Sequence, residues 1–238
     1  MTADNRIWAV IPVKRFSTAK ARLASVLDIG ERAELARVMF EDVHDALLQC
    51  QDILAGTLVV TWDPEVAALA RRRGASVVPD AERGINAAVT LAVQYIHAHG
   101  GAGLMVVPSD IPQVTRNAFA EAGRAIATAP SLAIAAAADD GGTNLFACRP
   151  AGAVPPLFGP RSFDLHRRTA IRMDVVVHTL RLPELSLDID RPENLRTFLA
   201  LESSTRTHDF LCRIPLVERL AKCRRLRRQP PDRATAEV

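Results

Sequence analysis

Short apolar runs alternate with longer amphipathic segments along roughly the first 130 residues of the chain. The runs are rich in β-branched residues and are bounded by Pro, Gly or polar residues, which is typical of buried strands. The longer segments repeat apolar residues at a spacing near 3.6, which predicts helices that pack one face against a sheet. The predicted strands cover residues 7–11, 57–61, 75–78, 104–107, 132–137, 144–148 and 175–180. The predicted helices cover residues 31–49, 64–73, 86–97, 116–128, 163–173 and 192–201.

This alternation favours an α/β fold with a mostly parallel central sheet and helices on both of its faces. Two successive strands flank a turn at residues 139–142, so we expect one antiparallel element in that sheet. The pattern weakens after Glu202. We therefore predict one domain over residues 1–202 and a basic C-terminal extension over residues 203–238 that is partly helical or disordered.

The net charge of +3 on the 238 residues is unevenly distributed. Residues 206–238 carry nine Arg and Lys against four Asp and Glu, so the rest of the chain is slightly acidic, at −2. The body of the chain shows no basic footprint, and we expect no nucleic-acid partner. No apolar run reaches the roughly 18–20 residues of a membrane span, so we expect no membrane partner either.

The start of the sequence and its cysteines both favour a cytoplasmic protein. The first six residues lack the basic and apolar regions of a secretory signal. The four cysteines lie far apart and form no Cys-x-x-Cys pair, so we expect free thiols and no thiolate zinc site. The sequence leaves open whether the protein forms a homo-oligomer.

A basic loop follows the first predicted strand. It carries Lys14, Lys20 and Arg22 at the edge of the sheet where α/β proteins bind ligands. A loop that enters a helix N-terminus offers free N–H groups to phosphate, and the three cations add charge and donors. The loop lacks the glycines of a P-loop or a dinucleotide fingerprint. A solvated basic loop is the alternative interpretation.

Three aspartates are candidates for holding Mg²⁺. Asp110 follows a predicted buried strand and stands between Pro108 and Pro112, which leave few backbone donors nearby. Asp188 and Asp190 alternate in an extended segment and so point to one side, where they repel each other unless a cation lies between them. Rigid carboxylates beside substrate phosphates are what Mg²⁺ prefers. Asp110 and Asp190 could instead be turn or helix-cap residues.

Small polar residues near other strand ends are candidates for binding substrate. Asn86, Thr143, Gly159 and Ser162 offer hydrogen bonds or close backbone approach, although each alone fits a turn or a cap. The six histidines are scattered and predict no metal site. No Gly-x-Ser-x-Gly motif is present, which disfavours hydrolysis by a nucleophilic serine.

Taken in order, these motifs resemble the 2-phospho-L-lactate guanylyltransferase family over about residues 6–200. The resemblance is carried by Ile11-Pro12-Val13-Lys14, Ala19-Lys20-Ala21-Arg22-Leu23, Asn86-Ala87-Ala88, Pro108-Ser109-Asp110-Ile111-Pro112, Gly142-Thr143-Asn144, Phe158-Gly159-Pro160-Arg161-Ser162-Phe163 and Leu187-Asp188-Ile189-Asp190-Arg191-Pro192-Glu193. That family serves deazaflavin coenzyme biosynthesis. It belongs to a wider class of nucleotidyltransferases with a single Rossmann-like, glycosyltransferase-A-like domain.

The resemblance implies an enzyme that transfers GMP from GTP to the phosphate of a three-carbon phospho-acid and releases pyrophosphate. We expect 3-phospho-D-glycerate as acceptor first, phosphoenolpyruvate second and 2-phospho-L-lactate third. The positions that match Mg²⁺ ligands are Asp110, Asp188 and Asp190. The positions that match contacts to the phospho-acid are Thr143, Gly159 and Ser162. The catalytic cations facing the triphosphate are Lys14, Lys20 and Arg22, and Asn86 falls near the nucleotide.

Two other functions fit the residues. A nucleotidyltransferase acting on a sugar or alcohol phosphate would share the fold and the metal ligands, but that class carries a Gly-rich loop after the first strand. Here residues 14–18 contain no glycine, which fits the narrower family. A nucleotide-binding protein without enzymatic activity would use the aspartates only as caps.

Overall fold

The structure is a computed structural model that describes residues 7–81 and 83–228. Its strands are β1 Ile7–Pro12, β2 Leu54–Val60, β3 Ser76–Val78, β4 Gly103–Val106, β5 Ser131–Ala136, β6 Thr143–Arg149 and β7 Val176–Thr179. They form a mixed sheet in the order β3-β2-β1-β4-β6-β5-β7. The pairings are parallel except those of β6, which runs antiparallel to β4 and β5. The predicted α/β class and its antiparallel element are confirmed.

Helices cover both faces of this sheet. They are α1 Ile29–Leu48, α2 Pro64–Arg72, α3 Ile85–Ala98, α4 Arg116–Ala125, α5 Ser162–Arg172, α6 Pro192–Leu199, α7 Arg206–Arg213 and α8 Leu216–Arg228. Alternate residues of β1 show the division: Ala9 and Ile11 pack in a cluster with α1, α2 and α4, whereas Val10 packs with α3 and α5. None of the helices described here is long and apolar enough to cross a membrane.

Local sequence signals set where two of the helices begin. Asp28 caps α1 in a reciprocal capping box, in which it accepts from the Glu31 N–H while Glu31 accepts from the Asp28 N–H. Asp63 caps α2 by accepting two backbone N–H groups, and Pro64 occupies the first helical position as predicted. These caps orient the chain as it leaves the basic loop and β2.

Packing continues across the boundary expected at residue 202. A third apolar cluster joins Leu23 and Met39 to α6 through Phe198, and includes Leu211 of α7 and Leu220 of α8. The sequence pattern weakened here because both helices carry many charges and α7 has only eight residues. The helical part of the expected extension is thus packed against the body, while residues 229–238 lie outside the described residues.

A buried carboxylate fastens α7 to α1. Asp42 of α1 accepts hydrogen bonds from the Thr207 N–H (2.9 Å), the Thr207 hydroxyl (2.6 Å) and the Arg206 N–H (2.9 Å). Burial raises the pKa of Asp42, while these donors oppose the rise. Because the partners are 164 and 165 residues apart in sequence, this contact is part of the tertiary fold.

Candidate active site

A cleft of about 610 Å³ lies at the carboxyl ends of β1, β2 and β4. Its walls come from the basic loop, the segment after β4, the start of α3 and one residue before α6. The charged residues that line it are Lys14, Arg15, Lys20, Asp80, Asp110 and Asp190. The cleft therefore brings basic and acidic side chains together at the edge of the sheet where ligand binding was predicted.

Asp110, Asp188 and Asp190 form an acidic cluster at one end of the cleft. Their carboxylates each offer an oxygen such that all three lie within 4.8 Å of one another. The segment that carries Asp188 and Asp190 is held against the segment that follows β4, because the Ile189 N–H donates to the Asp110 carbonyl (3.0 Å). Ile189 itself is fully buried, so its two neighbours point to the opposite side, as the alternation predicted.

The Lys20 ammonium lies between two of these carboxylates. Its Nζ is 2.6 Å from Asp110 Oδ2 and 2.7 Å from Asp190 Oδ1. Burial opposes the charge on Lys20, but the two carboxylates outweigh burial and raise the pKa of this lysine. Burial likewise opposes ionisation of Asp190, yet Lys20 holds the pKa of that carboxyl below its ordinary value. In this structure Lys20 thus supplies the cation that the sequence required.

Asp188 has a different environment from its two neighbours. Its Oδ1 accepts a hydrogen bond from Asn144 Nδ2 at 3.3 Å. Burial raises the pKa of Asp188, and the charge of Asp110 adds to the rise. The cluster therefore holds more negative charge than Lys20 alone offsets, and its donors are hard carboxylate oxygens. That donor set fits a divalent cation of the Mg²⁺ type.

The structure rejects the cap interpretation for Asp190. The N-cap residue of α6 is Arg191, and the Asn194 side chain accepts from the backbone N–H groups of Asp190 and Arg191. The carboxylate of Asp190 is directed instead to Lys20 and Arg22. The carboxylate of Asp110 likewise forms an ion pair with Lys20.

The other two cations of the basic loop are more exposed. Lys14 lines the cleft. Arg22 keeps 64% of its side chain exposed, with its Nη1 3.6 Å from Asp190 Oδ2. The loop forms two short 3-10 turns, and α1 begins only at Ile29, after the capping box of Asp28 and Glu31. The expected helix N-terminus is therefore not at the end of the loop.

Sequence reasoning missed a cation at the far wall of the cleft. The Arg15 guanidinium lies 4.2 Å from the centre of the Trp62 ring, and its Nε donates to Asp63 Oδ2 at 3.0 Å. Both Arg15 and Trp62 line the cleft. The signal that could have found it is Trp62, an aromatic residue that follows the strand β2 directly after Thr61.

Thr143 and Ser162 come together although 19 residues separate them. Their hydroxyl oxygens are 2.9 Å apart, and Thr143 Oγ1 also lies 3.2 Å from His166 Nδ1. All three side chains are buried. His166, one of the six scattered histidines, thus has a buried hydrogen-bond partner.

Asn86 contacts Phe158, the residue directly before Gly159. The Asn86 side chain donates to the Phe158 carbonyl (3.1 Å) and accepts from the Phe158 N–H (2.8 Å). Asn86 therefore holds the loop that carries Gly159, while its neighbours Gly84 and Ile85 line the cleft. Gly159 has a φ of +142°, a value that favours glycine, and open space lies where a side chain would project.

Comparison with known proteins identifies the family. The family described as "Guanylyl transferase CofC like" matches residues 7–230. The chain belongs to this family. The match extends beyond residue 202 and thus includes α7 and α8, which the resemblance read from the motifs had left out.

Named relatives agree with the family assignment. A phosphoenolpyruvate guanylyltransferase of Sphaerobacter thermophilus is 36% identical over 189 residues, covering 79% of this chain and 89% of the relative. Another protein of that name, from Roseiflexus sp. (strain RS-1), is 35% identical over 225 residues, covering 94% of this chain and 99% of the relative. The chain is therefore an enzyme of the guanylyltransferase type.

Solved structures show the same fold at lower identity. A provisionally assigned nucleotide-diphospho-sugar transferase from Desulfovibrio desulfuricans G20 superposes with a TM-score of 0.75 at 17% identity, covering 92% of this chain and 98% of that one. A nucleotidyl transferase from Methanothermobacter superposes with a TM-score of 0.58 at 18% identity, covering 88% of this chain and 100% of that one. These structural similarities confirm the fold class, and they give no information about the substrate.

Proposed function

We propose that the protein transfers GMP from GTP to the phosphate of a three-carbon phospho-acid and releases pyrophosphate. The observation that carries the proposal is the acidic cluster, balanced by Lys20, at the end of a cleft lined with cations. The name of the relatives favours phosphoenolpyruvate as the acceptor over 3-phospho-D-glycerate, which we had expected first. Such a reaction belongs to the deazaflavin coenzyme pathway that the family resemblance implies.

The residues fit the charge problem of this reaction. An oxygen of the acceptor phosphate bonds to the α-phosphorus of GTP, and the bond from that phosphorus to the bridging oxygen of pyrophosphate breaks. Both reactants are anions, so their approach requires positive charge in the site. Lys14, Lys20 and Arg22 supply that charge around the triphosphate and stabilise the departing pyrophosphate. The acceptor phosphate is already ionised near neutral pH, so no general base is needed.

Asp110, Asp188 and Asp190 would hold Mg²⁺ in the working enzyme. When bound, the ion supplies Lewis-acid neutralisation of the reacting phosphates. The raised pKa of Asp188 supports this assignment, because burial and Asp110 leave its carboxylate short of positive charge. In the absence of nucleotide, Lys20 offsets part of the repulsion among the three carboxylates.

We assign the acceptor to a position beside Thr143, Gly159 and Ser162. Gly159 leaves open space at the loop surface, and its carbonyl accepts from the Ser162 N–H at 3.1 Å, which keeps the two residues adjacent. Asn86 supports this loop from α3 through Phe158. We therefore assign Asn86 a role in positioning the acceptor loop, in place of the nucleotide contact expected from sequence.

A direct assay tests the proposal. The protein is incubated with Mg²⁺, GTP and one acceptor at a time: phosphoenolpyruvate, 3-phospho-D-glycerate, 2-phospho-L-lactate or a sugar 1-phosphate. We expect pyrophosphate release and a guanylylated product, identified by mass, with phosphoenolpyruvate giving the highest rate. Product from the sugar phosphate alone, or no product from any acceptor with GTP, would reject the proposed function.

A further inference from the structure

A chain of buried hydrogen bonds runs behind the positions assigned to the acceptor. The Leu157 N–H donates to His166 Nε2 at 2.8 Å. On the other side of the ring, His166 Nδ1 lies 3.2 Å from Thr143 Oγ1, which lies 2.9 Å from Ser162 Oγ. His166 is fully buried between Phe146 and Phe158, whose ring centres are 4.7 and 4.9 Å from its own.

The donor at one end fixes the direction of this chain. A backbone N–H can only donate, so Nε2 of His166 must accept and the proton of the neutral ring must be on Nδ1. That proton is donated to Thr143 Oγ1, and the Thr143 hydroxyl then finds its acceptor in Ser162 Oγ. Burial lowers the pKa of His166 to about 4, which keeps the ring neutral. Within this series of hydrogen bonds, the Ser162 hydroxyl proton is the one that is left without an acceptor.

We infer that His166 is a positioning residue that sets the Ser162 hydroxyl as a hydrogen-bond donor toward the phospho-acid. The ligand chemistry that fits this end is an anionic oxygen of a carboxylate or phosphate. Ser162 is only 1% exposed, so the anion would reach it through the space that the exposed Gly159 leaves beside it. This inference rests on the proposed function and extends it to a residue that contacts neither substrate.

His166 has a second effect through the same ring. Its bond to Leu157 fixes the backbone next to Phe158, which Asn86 holds from the opposite side. The loop leading to Gly159 is thus fastened at two successive residues. A variant that loses only one ring nitrogen separates these two effects.

Two substitutions test the roles of the two ring nitrogens of His166 separately. His166→Gln places an amide near the Nε2 position, where it can still accept from Leu157, but removes the donor to Thr143. His166→Asn places an amide near the Nδ1 position, where it can still donate to Thr143. We expect the Gln variant to raise the KM for phosphoenolpyruvate roughly tenfold or more, because the Ser162 hydroxyl is then no longer held as a donor toward the anion. The KM for GTP should stay within about twofold. We expect the Asn variant to retain a phosphoenolpyruvate KM within about threefold of the parent.

The matched control is His97→Gln, a histidine on α3 whose Nε2 bonds only the Ala151 carbonyl at 2.9 Å in the described chain. It should leave both KM values unchanged. Equal loss in the Gln and Asn variants, or a parallel rise in the GTP KM, would overturn the inference, because either result indicates a general loss of structure. An unmodified protein that guanylylates no phospho-acid would instead reject the proposed function.

Two further measurements apply if the Gln variant does not fold. Thr143→Val interrupts the same chain and should raise the phosphoenolpyruvate KM as His166→Gln does, whereas Thr143→Ser should restore it. Nitrogen-15 NMR of the parent protein should show the His166 proton on Nδ1 near neutral pH. A proton on Nε2, or a Val variant with a normal KM, would reject the direction of the chain.

Discussion

Lys20 makes the three aspartates of the acidic cluster unequal. Asp110 and Asp190 each accept a short bond from its ammonium, whereas Asp188 is paired with the Asn144 amide. Without metal, removing the Asp188 carboxylate should therefore have the opposite effect on stability to removing the carboxylate of Asp110 or Asp190. A residue that binds only a metal and a residue that also binds Lys20 can be distinguished by stability alone.

Asp188→Asn and Asp110→Asn should both lower turnover roughly a hundredfold or more, because each removes a carboxylate from the reacting centre. In chelator, we expect Asp188→Asn to raise the melting temperature, since the raised pKa of Asp188 shows that its charge is disfavoured in the fold. Asp110→Asn should lower it, since Lys20 loses a partner. Thermal melts and initial rates of the same preparations test both. Two variants with the same melting temperature would contradict the distinction.

The gain from Asp188→Asn should depend on pH. The fold raises the pKa of this carboxyl, so the native state binds its proton more tightly than the unfolded chain, and ionisation lowers stability. The variant's advantage in chelator should therefore be full at about pH 7, shrink as the pH falls through the raised pKa, and vanish below the ordinary value of 3.8. Melting curves of the two proteins across this range measure it. An advantage that grows on acidification would refute the assignment.

Lys20 and Arg22 should differ, although both were predicted as triphosphate cations. Lys20→Met removes a side chain that is 9% exposed. It leaves Asp110 without its ion pair and Asp190 with only the exposed Arg22, so we expect a loss of about 2 kcal/mol of stability in chelator. Arg22→Ala removes a 64% exposed partner at 3.6 Å, worth about 0–1 kcal/mol. Chemical denaturation measures both losses, and initial rates should show the larger loss of turnover in Lys20→Met. Equal effects on stability would show that Lys20 is not the cation of the cluster.

At this scale the sequence allowed some contacts to be predicted and not others. The convergence of Asp188 and Asp190 followed from strand alternation, a local rule. The pairing of Lys20 with them depends on the left-handed backbone at Lys20, with a φ of 56°, and on a contact across 170 residues. The chain from His166 to Ser162 was equally hidden, because no local pattern shows which buried hydroxyls meet.

Among the elements, α7 and α8 depart furthest from the sequence prediction. Helices with long periodic faces, such as α1, were predicted within a few residues, since their apolar spacing is repeated over several turns. In contrast, α7 has only eight residues, and its docking depends on Asp42, a single acidic residue within α1. A buried carboxylate that accepts three hydrogen bonds is indistinguishable in sequence from a solvated one.

Truncation after Ser204 should therefore destabilise the protein. It removes Leu211, Leu216 and Leu220 from the third apolar cluster and leaves Asp42 buried without its donors. We expect a melting temperature lower by at least several degrees and a tendency to aggregate. Truncation after Arg228 is the control and should leave the melting temperature unchanged. Similar melting temperatures for the two truncations would show that α7 and α8 add little to the fold.

At the scale of the whole molecule, the balance of charges inside the cleft predicts how strongly each ligand stabilises the protein. Mg²⁺ alone competes with an ammonium already in contact with Asp110 and Asp190, so it should raise the melting temperature little. Mg²⁺ with GTP should raise the melting temperature substantially. A ligand that binds the native state and not the unfolded chain adds stability that grows with the logarithm of its concentration divided by Kd. Differential scanning fluorimetry with each component separately and together tests this order. A full shift with Mg²⁺ alone would mean that Lys20 does not occupy the place of the cation.

The reversed direction of β6 has a consequence for how such enzymes can diverge. Because β6 is antiparallel to its neighbours, it brings its beginning, with Thr143, to the edge where β1 and β4 bring their ends. The short connection from β5 therefore sets the register of Thr143, and a slip of one residue would turn its side chain to the other face of the sheet. The strands that form the nucleotide cleft would be unaffected. Insertions and deletions at residues 137–142 thus offer evolution, or a protein engineer, a way to alter the proposed acceptor site while the proposed nucleotide site stays the same.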